Sequence, residues 1–249
     1  MEKKAKVNAG ILIIGNEILS GRTQDTNTST LATWLNSIGV KVEEVRIIPD
    51  EENTIIETLN LLRSTYDYVF TTGGIGPTHD DITSKSVAKA FNLKYGIHDE
   101  AFKILEKYYT PEKFNKGRQR MAMIPDKAEL ILNPSSGAPG FIVENVYCLP
   151  GVPSILKSML GGLNNKIIGG KKILSSTLSL RTVESEIAQS LENVQKTFQE
   201  VDIGSYPFFQ QGKIGVSIVM RSSNKNLILD CEKEIKEFVK KKNIAIIER

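Results

Sequence analysis

Cysteine is nearly missing from this sequence, and so are long apolar runs and any excess of charge. Cys148 and Cys231 alone cannot make a disulfide framework or a zinc site. No apolar run approaches the roughly 18 residues that a membrane span needs. The opening MEKKAKVNAG leads into only a short apolar stretch, without the h-region or cleavage site of a secretory leader. The expectation is a cytoplasmic protein with no membrane partner. With 32 basic and 29 acidic residues the net charge is +3, which provides no broad basic field for nucleic acid. Lys240–Lys242 reads as a solvated helix end. Internal repeats and low-complexity segments are also missing. What remains, 40% hydrophobic and 24% charged, is an ordinary globular composition with room for one large domain and a small one.

The first part alternates. NAGILIIG (8–15) reads as a buried strand and DTNTSTLATWLNSI (25–38) as a helix, capped by Asp25 or Asn27 and stopped at Gly39. KVEEVRII (41–48) is a strand, NTIIETLNLLRS (53–64) an amphipathic helix, YDYVFTT (66–72) a strand and SKSVAKAFN (84–92) a helix. This order argues an α/β fold: a mostly parallel sheet with helices on both faces. One helical stretch is expected near 98–124, then short strands at 128–132, 141–145 and 146–150, and a helix from about Pro153 to Leu163. The Gly-rich GGLNNKIIGGKK marks a boundary, giving domains 1–168 and 169–249. The second reads βαββαβ, a small α+β unit with helices on one face of a mixed sheet.

Ligands of parallel sheets lie beyond the carboxyl ends of the strands. Three polar loops fall there: Gly15–Gly21, Pro49–Asn53 and Gly73–Asp81. In GGIGPTHDD, Gly73, Gly74 and Gly76 permit a bare-backbone turn whose N–H groups can cradle an anion ahead of a helix N-terminus. Asp81 beside a phosphate would repel it unless a cation such as Mg²⁺ lay between them. The competing reading is a tight turn with helix-capping aspartates. The loop is neither G-x-G-x-x-G nor a P-loop, since no Gly-Lys-Ser/Thr follows. In NPSSGAPG (133–140), Ser135 and Ser136 are turn residues or phosphate ligands. Pro150, Gly151 and Pro153 shape a rigid wall. His79 reads as an exposed loop histidine.

GNEILSGRTQDTN (15–27), IIPDE (47–51), TTGGIGPTHDDIT (71–83), SGAPGF (136–141) and LPGVP (149–153) stand in the order found in the molybdopterin-binding domain family. The chain most resembles its CinA-like (competence/damage-inducible protein A) branch over roughly residues 8–165. Its tail resembles the KH-type second domain of that branch. The deamidase domain of longer relatives is not expected. The resemblance implies a ligand of molybdopterin or adenine-nucleotide type and a divalent cation. In the CinA-like branch it also implies metal-dependent cleavage of ADP-ribose-type or FAD-type pyrophosphates. Asp50 and Asp81 match the paired acidic residues near metal and phosphate, and are the expected catalytic and metal-holding pair. Glu17 matches the acidic residue of the first loop, although it could pair instead with Arg22. Asn16 stands where relatives carry Asp or Thr. The ligand set so implied is Gly15, Glu17, Asn27, Gly73, Gly74, Gly76, Ser135, Ser136, Gly137, Pro150 and Gly151, in a homo-oligomer, most simply a dimer.

Three functions compete: a hydrolase of nucleotide pyrophosphates, a binding module without turnover, and an RNA-binding tail. The tail lacks a basic-flanked G-x-x-G loop, so no nucleic-acid partner is expected.

Overall fold

The computed structural model describes residues 6–210 and 212–247. Two compact units divide between Gly170 and Lys171, and each has its own core.

The first unit is built on a six-stranded sheet. Its strands are β1 (Asn8–Ile14), β2 (Lys41–Ile48), β3 (Tyr68–Thr72), β6 (Glu129–Ile131), β7 (Gly140–Val143) and β8 (Val146–Leu149), in the order β2-β1-β3-β8-β7-β6. β2, β1, β3 and β8 are parallel, and β7 runs against both its neighbours. Strand alternation divides the apolar residues between two faces. Ile11, Ile13, Phe70, Tyr147 and Leu149 pack with α2 (Asn27–Ser37) and α7 (Pro153–Leu160). Leu12, Ile14, Val69, Val146 and Cys148 pack with α3 (Glu52–Thr65), α4 (Thr83–Ala90) and α5 (Asp99–Tyr108). The near-continuous burial of β1 is what a parallel strand covered on both faces requires.

The order 2-1-3 places β2 and β3 on opposite sides of β1. The chain reverses direction across the sheet there, leaving a crevice at the carboxyl ends of β1 and β3.

The stretch expected as one helix is divided. His98 caps α5, its Nδ1 accepting from Ala101 N at 3.4 Å. The helix ends before Thr110-Pro111. A one-turn helix, α6 (Lys116–Arg120), follows, then β5 (Met123–Pro125), which pairs with an unforeseen β4 (Tyr95–Ile97). Proline cannot continue a helix, and Gly117 weakens any renewed one. The loop after β1 also holds an unforeseen short helix, α1 (Asn16–Leu19). The helix from Pro153 ends at Leu160 and tightens into a 3₁₀ turn over Gly161–Leu163.

The second unit runs β9 (Leu174–Leu180), α8 (Glu184–Thr197), β10 (Asp202–Gln210), β11 (Lys213–Ser222), α9 (Lys225–Lys241) and β12 (Ile246–Ile247). The expected βαββαβ order is present, but the sheet is not mixed. All three pairings in β10-β11-β9-β12 are antiparallel, the split βαβ arrangement. Leu178, Leu180, Val216, Ile218 and Met220 pack on Ile187, Val194, Ile228, Cys231 and Ile235 of the two helices. Lys240, Lys241 and Lys242 are exposed, as a solvated helix end should be.

Candidate functional site

Gly73 sits where β3 leaves the sheet. Its φ is +101°, and a Cβ there would lie 2.1 Å from the Ile14 carbonyl oxygen at the end of β1. Only glycine fits. Gly74 follows at φ +66°, where a Cβ would meet Thr83 Oγ1 at 2.2 Å. The Thr83 amide donates to the Gly74 carbonyl at 2.9 Å, tying the turn to the start of α4. The Gly73 amide is used, donating to Leu149 O at 3.2 Å. It cannot serve an anion, contrary to the expectation that all three glycines would. The amides of Gly74, Ile75 and Gly76 have no protein partner among the described residues, which leaves them free to donate to an anion.

Asp81 closes the turn. Its Oδ2 accepts from the Thr78 amide at 2.7 Å and from the Thr78 hydroxyl at 2.5 Å. A Cβ on Gly76 would stand 2.7 Å from that same oxygen. Asp50, after β2, accepts from the Asn16 amide at 2.9 Å and so holds the first residue of α1. Burial pushes the Asp50 carboxyl above its ordinary range, and the charges of Glu17, Asp80 and Asp81 add to the rise, against the lowering effect of the Asn16 bond. Asp50, Glu17, Asp80 and Asp81 therefore share one field. His79 is fully out in solvent at 96% side-chain exposure, as expected of a loop histidine. Glu17 folds back over Gly15, where a Cβ would lie 2.7 Å from its Oε1. No ion pair joins Glu17 to Arg22 among the described residues. Gly15 donates its amide to Ile48 O at 3.2 Å, so its part is close approach and not donation.

Asn27 is not the cap of α2. Asp25 Oδ1 accepts from the amides of Asn27 and Thr28 at 2.9 and 3.2 Å and does that work. Asn27 is 5% exposed. Its Nδ2 donates to Gly151 O at 2.8 Å and to Thr72 Oγ1 at 3.2 Å, bracing the turn after β8 against the end of β3. Asn27 Oδ1 is buried with no hydrogen-bond partner. Gly151 packs on Gly73, a Cβ at 151 lying 3.3 Å from the Gly73 Cα. A pocket of about 40 Å³ opens between them, lined among others by Glu17, Asn27, Thr72, Gly73 and Gly151. Pro150, half-buried just before Gly151, belongs to the wall of this turn.

Ser135, Ser136 and Gly137 do not line this pocket and stand in the loop that joins β6 to β7. Asn133 organises their loop. Its Oδ1 accepts from the amides of Ser135 and Ser136 at 2.9 and 3.1 Å, and its Nδ2 donates to Ser136 Oγ at 2.7 Å. A Cβ on Gly137, at φ +76°, would strike the Tyr108 ring at 2.4 Å. Thr72, Thr78 and Asn133 were missed as site builders in the sequence. The only signal for Asn133 was the Asn-x-Ser spacing of an Asx turn.

Among the described residues no three acidic, histidine or cysteine side chains close into a metal-ligating group. The donor set still suits a hard cation completed by ligand oxygens. Asp50 and Asp81 each engage one oxygen with the protein and leave the other uncommitted, and Mg²⁺ takes one or two carboxylates with phosphate oxygens.

Residues 10–168 match the family described as "Probable molybdopterin binding domain", and residues 172–247 match "FAD synthase, middle domain". A curated protein of Archaeoglobus fulgidus is 33% identical over 228 residues, spanning 92% of this chain and 95% of the relative. A Clostridium botulinum relative named "Putative competence-damage inducible protein" is 30% identical over 94% of this chain, which covers 60% of that relative's length. The crystal structure of the protein CinA, of unknown function, from Thermoplasma acidophilum superposes with TM-score 0.62 at 31% identity, over 66% of this chain and all of that one. Among the described residues no helix is long and apolar enough to cross a membrane. The chain belongs to the molybdopterin-binding domain family, in its CinA-like branch.

Proposed function

We propose that the first unit binds a diphosphate of pterin or nucleotide type at the β1–β3 crevice, together with Mg²⁺ or a similar divalent cation, and hydrolyses it as an ADP-ribose-type or FAD-type pyrophosphatase. One observation carries this reading: the unpaired amides of Gly74–Gly76 lie in the same turn as Asp81, in the field that raises Asp50. Amides alone would suit an anion, and carboxylates alone a cation. Together they suit a phosphate whose charge is bridged.

Each residue then has a task. The glycine-turn amides hold the phosphate oxygens. Asp50 and Asp81 hold the cation through their uncommitted oxygens. Bound there, the cation would neutralise phosphate charge and lower the pKa of a coordinated water. Asp50, on the cation, is also placed to orient the attacking water. Glu17 and Asn27 bound the pocket on the β1 side, and the Oδ1 of Asn27 offers an acceptor to a ligand N–H or O–H. The FAD synthase middle-domain match of the second unit supports a nucleotide as the ligand class. The reading is tested by incubating the protein with ADP-ribose, FAD, NAD or adenylylated molybdopterin, with and without Mg²⁺, and measuring AMP. Metal-dependent AMP release is expected from at least one of them. Saturable binding without AMP would reduce the role to a binding module.

A further inference from the structure

Asp81 reaches the crevice with one carboxylate oxygen already spent. Its Oδ2 accepts twice from a single residue, from the Thr78 amide at 2.7 Å and from the Thr78 hydroxyl at 2.5 Å. The main chain closes the turn that aims these donors, Asp81 N donating to Thr78 O at 3.3 Å. Gly76 stands against the carboxylate. A Cβ there would lie 2.7 Å from Oδ2, 3.0 Å from Oδ1 and 3.1 Å from Cγ. These near-equal distances lay one face of the carboxylate on the Gly76 backbone, while Thr78 fixes its edge. Asp81 Oδ1 has no donor among the described residues. Asp50 is held in the same way by a single contact: its Oδ2 accepts from the Asn16 amide at 2.9 Å, and its Oδ1 is left over. Thr78 is exposed, so water could serve its hydroxyl, yet the hydroxyl is committed to Asp81.

The same turn holds donors with no acceptor. Besides the amides of Gly74, Ile75 and Gly76, the Thr83 hydroxyl is buried against Gly74 without a partner. Buried polar groups are as a rule hydrogen-bonded, and spare donors beside carboxylates suit an anion bridged by a cation. Which cation depends on how many oxygens each carboxylate can present. Ca²⁺ takes about 6–8 oxygens at about 2.3–2.6 Å and readily accepts both oxygens of one carboxylate. Mg²⁺ demands a near-octahedral shell at about 2.0–2.1 Å, filled by one or two carboxylates, phosphate oxygens and water. Two carboxylates that each offer one oxygen match the second pattern.

We infer that Thr78 is a positioning residue that sets the metal preference of the crevice: by holding Asp81 Oδ2 with both its amide and its hydroxyl, it confines Asp81 to one coordinating oxygen and selects Mg²⁺ against Ca²⁺. The inference rests on the crevice reading above. Thr78 touches neither metal nor phosphate in this role. It acts by denying the larger ion the second oxygen that would fill its wider shell.

The test titrates Mg²⁺ and Ca²⁺ calorimetrically into the full chain saturated with α,β-methylene-ADP, a diphosphate whose bridge cannot be hydrolysed. The readout is the ratio of the two affinities, from which the metal affinity of the nucleotide itself cancels between variants. The wild type should prefer Mg²⁺. Thr78→Val keeps the amide and the β-branched shape but loses the hydroxyl. It should lower the Mg²⁺/Ca²⁺ ratio about tenfold, the scale of one charge-assisted hydrogen bond, mainly by tightening Ca²⁺. Thr78→Ser, which restores the hydroxyl, should keep the wild-type ratio, and melting curves confirm that both variants fold. A wild type that does not prefer Mg²⁺ overturns the inference and leaves the crevice reading intact. So does a Thr78→Val chain that keeps the wild-type ratio, whether its two affinities are unchanged or weakened alike as a merely structural role would have it. Failure of either metal to bind in the presence of the diphosphate overturns the two together.

Discussion

Gly73 and Asp50 carry opposite kinds of constraint. Gly73 is fixed by space: left-handed backbone and a carbonyl 2.1 Å from any Cβ leave no accommodation, since the obstacle is backbone. Gly73→Ala should cost at least about 1–3 kcal/mol, the scale of a strained backbone position, and lower Tm accordingly. Gly21→Ala is the control, because Gly21 has positive φ with open space around it, and it should cost less. Asp50 is fixed by charge. Its folded pKa is raised above 3.8, so the native state holds the proton more firmly than the unfolded chain. The stability this gives is complete below the unfolded value and is lost as pH rises through the folded one. Asp50→Asn should therefore melt at or above the wild-type temperature at neutral pH, while Mg²⁺ binding is lost. In the wild type, metal affinity should increase as pH rises through the raised pKa, because proton and cation compete for one carboxylate. Magnesium titrations at several pH values check this, and an affinity indifferent to pH would remove Asp50 from the metal site.

At the scale of elements, α2 is tied to two loops through Asn27. Asn27→Ala strips Gly151 O of its donor and should cost about 1–3 kcal/mol, read in urea denaturation. Asp25→Ala removes the cap and should cost about 1 kcal/mol without touching the pocket. These two residues also mark how far the sequence could be read. Asp25 and Asn27 stand two apart in DTN, and both are good capping types. Which one caps depends on where Thr72 and Gly151 arrive from, 45 and 124 residues away. The alternation of β1 to β3 and their helices was legible because each buried face repeats locally. The break after α5, the β4–β5 pair and the all-antiparallel second sheet were not, since strand pairing is a long-range choice that short apolar runs leave open. Likewise the glycine turn announced itself, but the loss of the Gly73 amide to Leu149 could not be read without the partner strand.

The whole chain is two units with separate cores. Residues 171–249 expressed alone should unfold cooperatively, with Val216, Ile218 and Met220 still packed on α8 and α9. Circular dichroism through a thermal ramp decides it, and a non-cooperative melt would show that this core does not suffice by itself. The homo-oligomer implied by the resemblance is retained as a proposal, and a light-scattering mass of one chain at high concentration would remove it. The central claim concerns the first unit: Asp81 holds a cation against a diphosphate at the glycine turn. Asp81→Asn keeps an oxygen for Thr78 but removes the charge, so Tm should hardly change. The most direct measurement is AMP release from ADP-ribose and FAD across a Mg²⁺ titration, wild type beside Asp81→Asn. The account predicts metal-dependent release in the wild type, reduced about 10²-fold or more in the variant, with metal-free diphosphate binding undiminished. Equal metal-dependent turnover in the two proteins would contradict it.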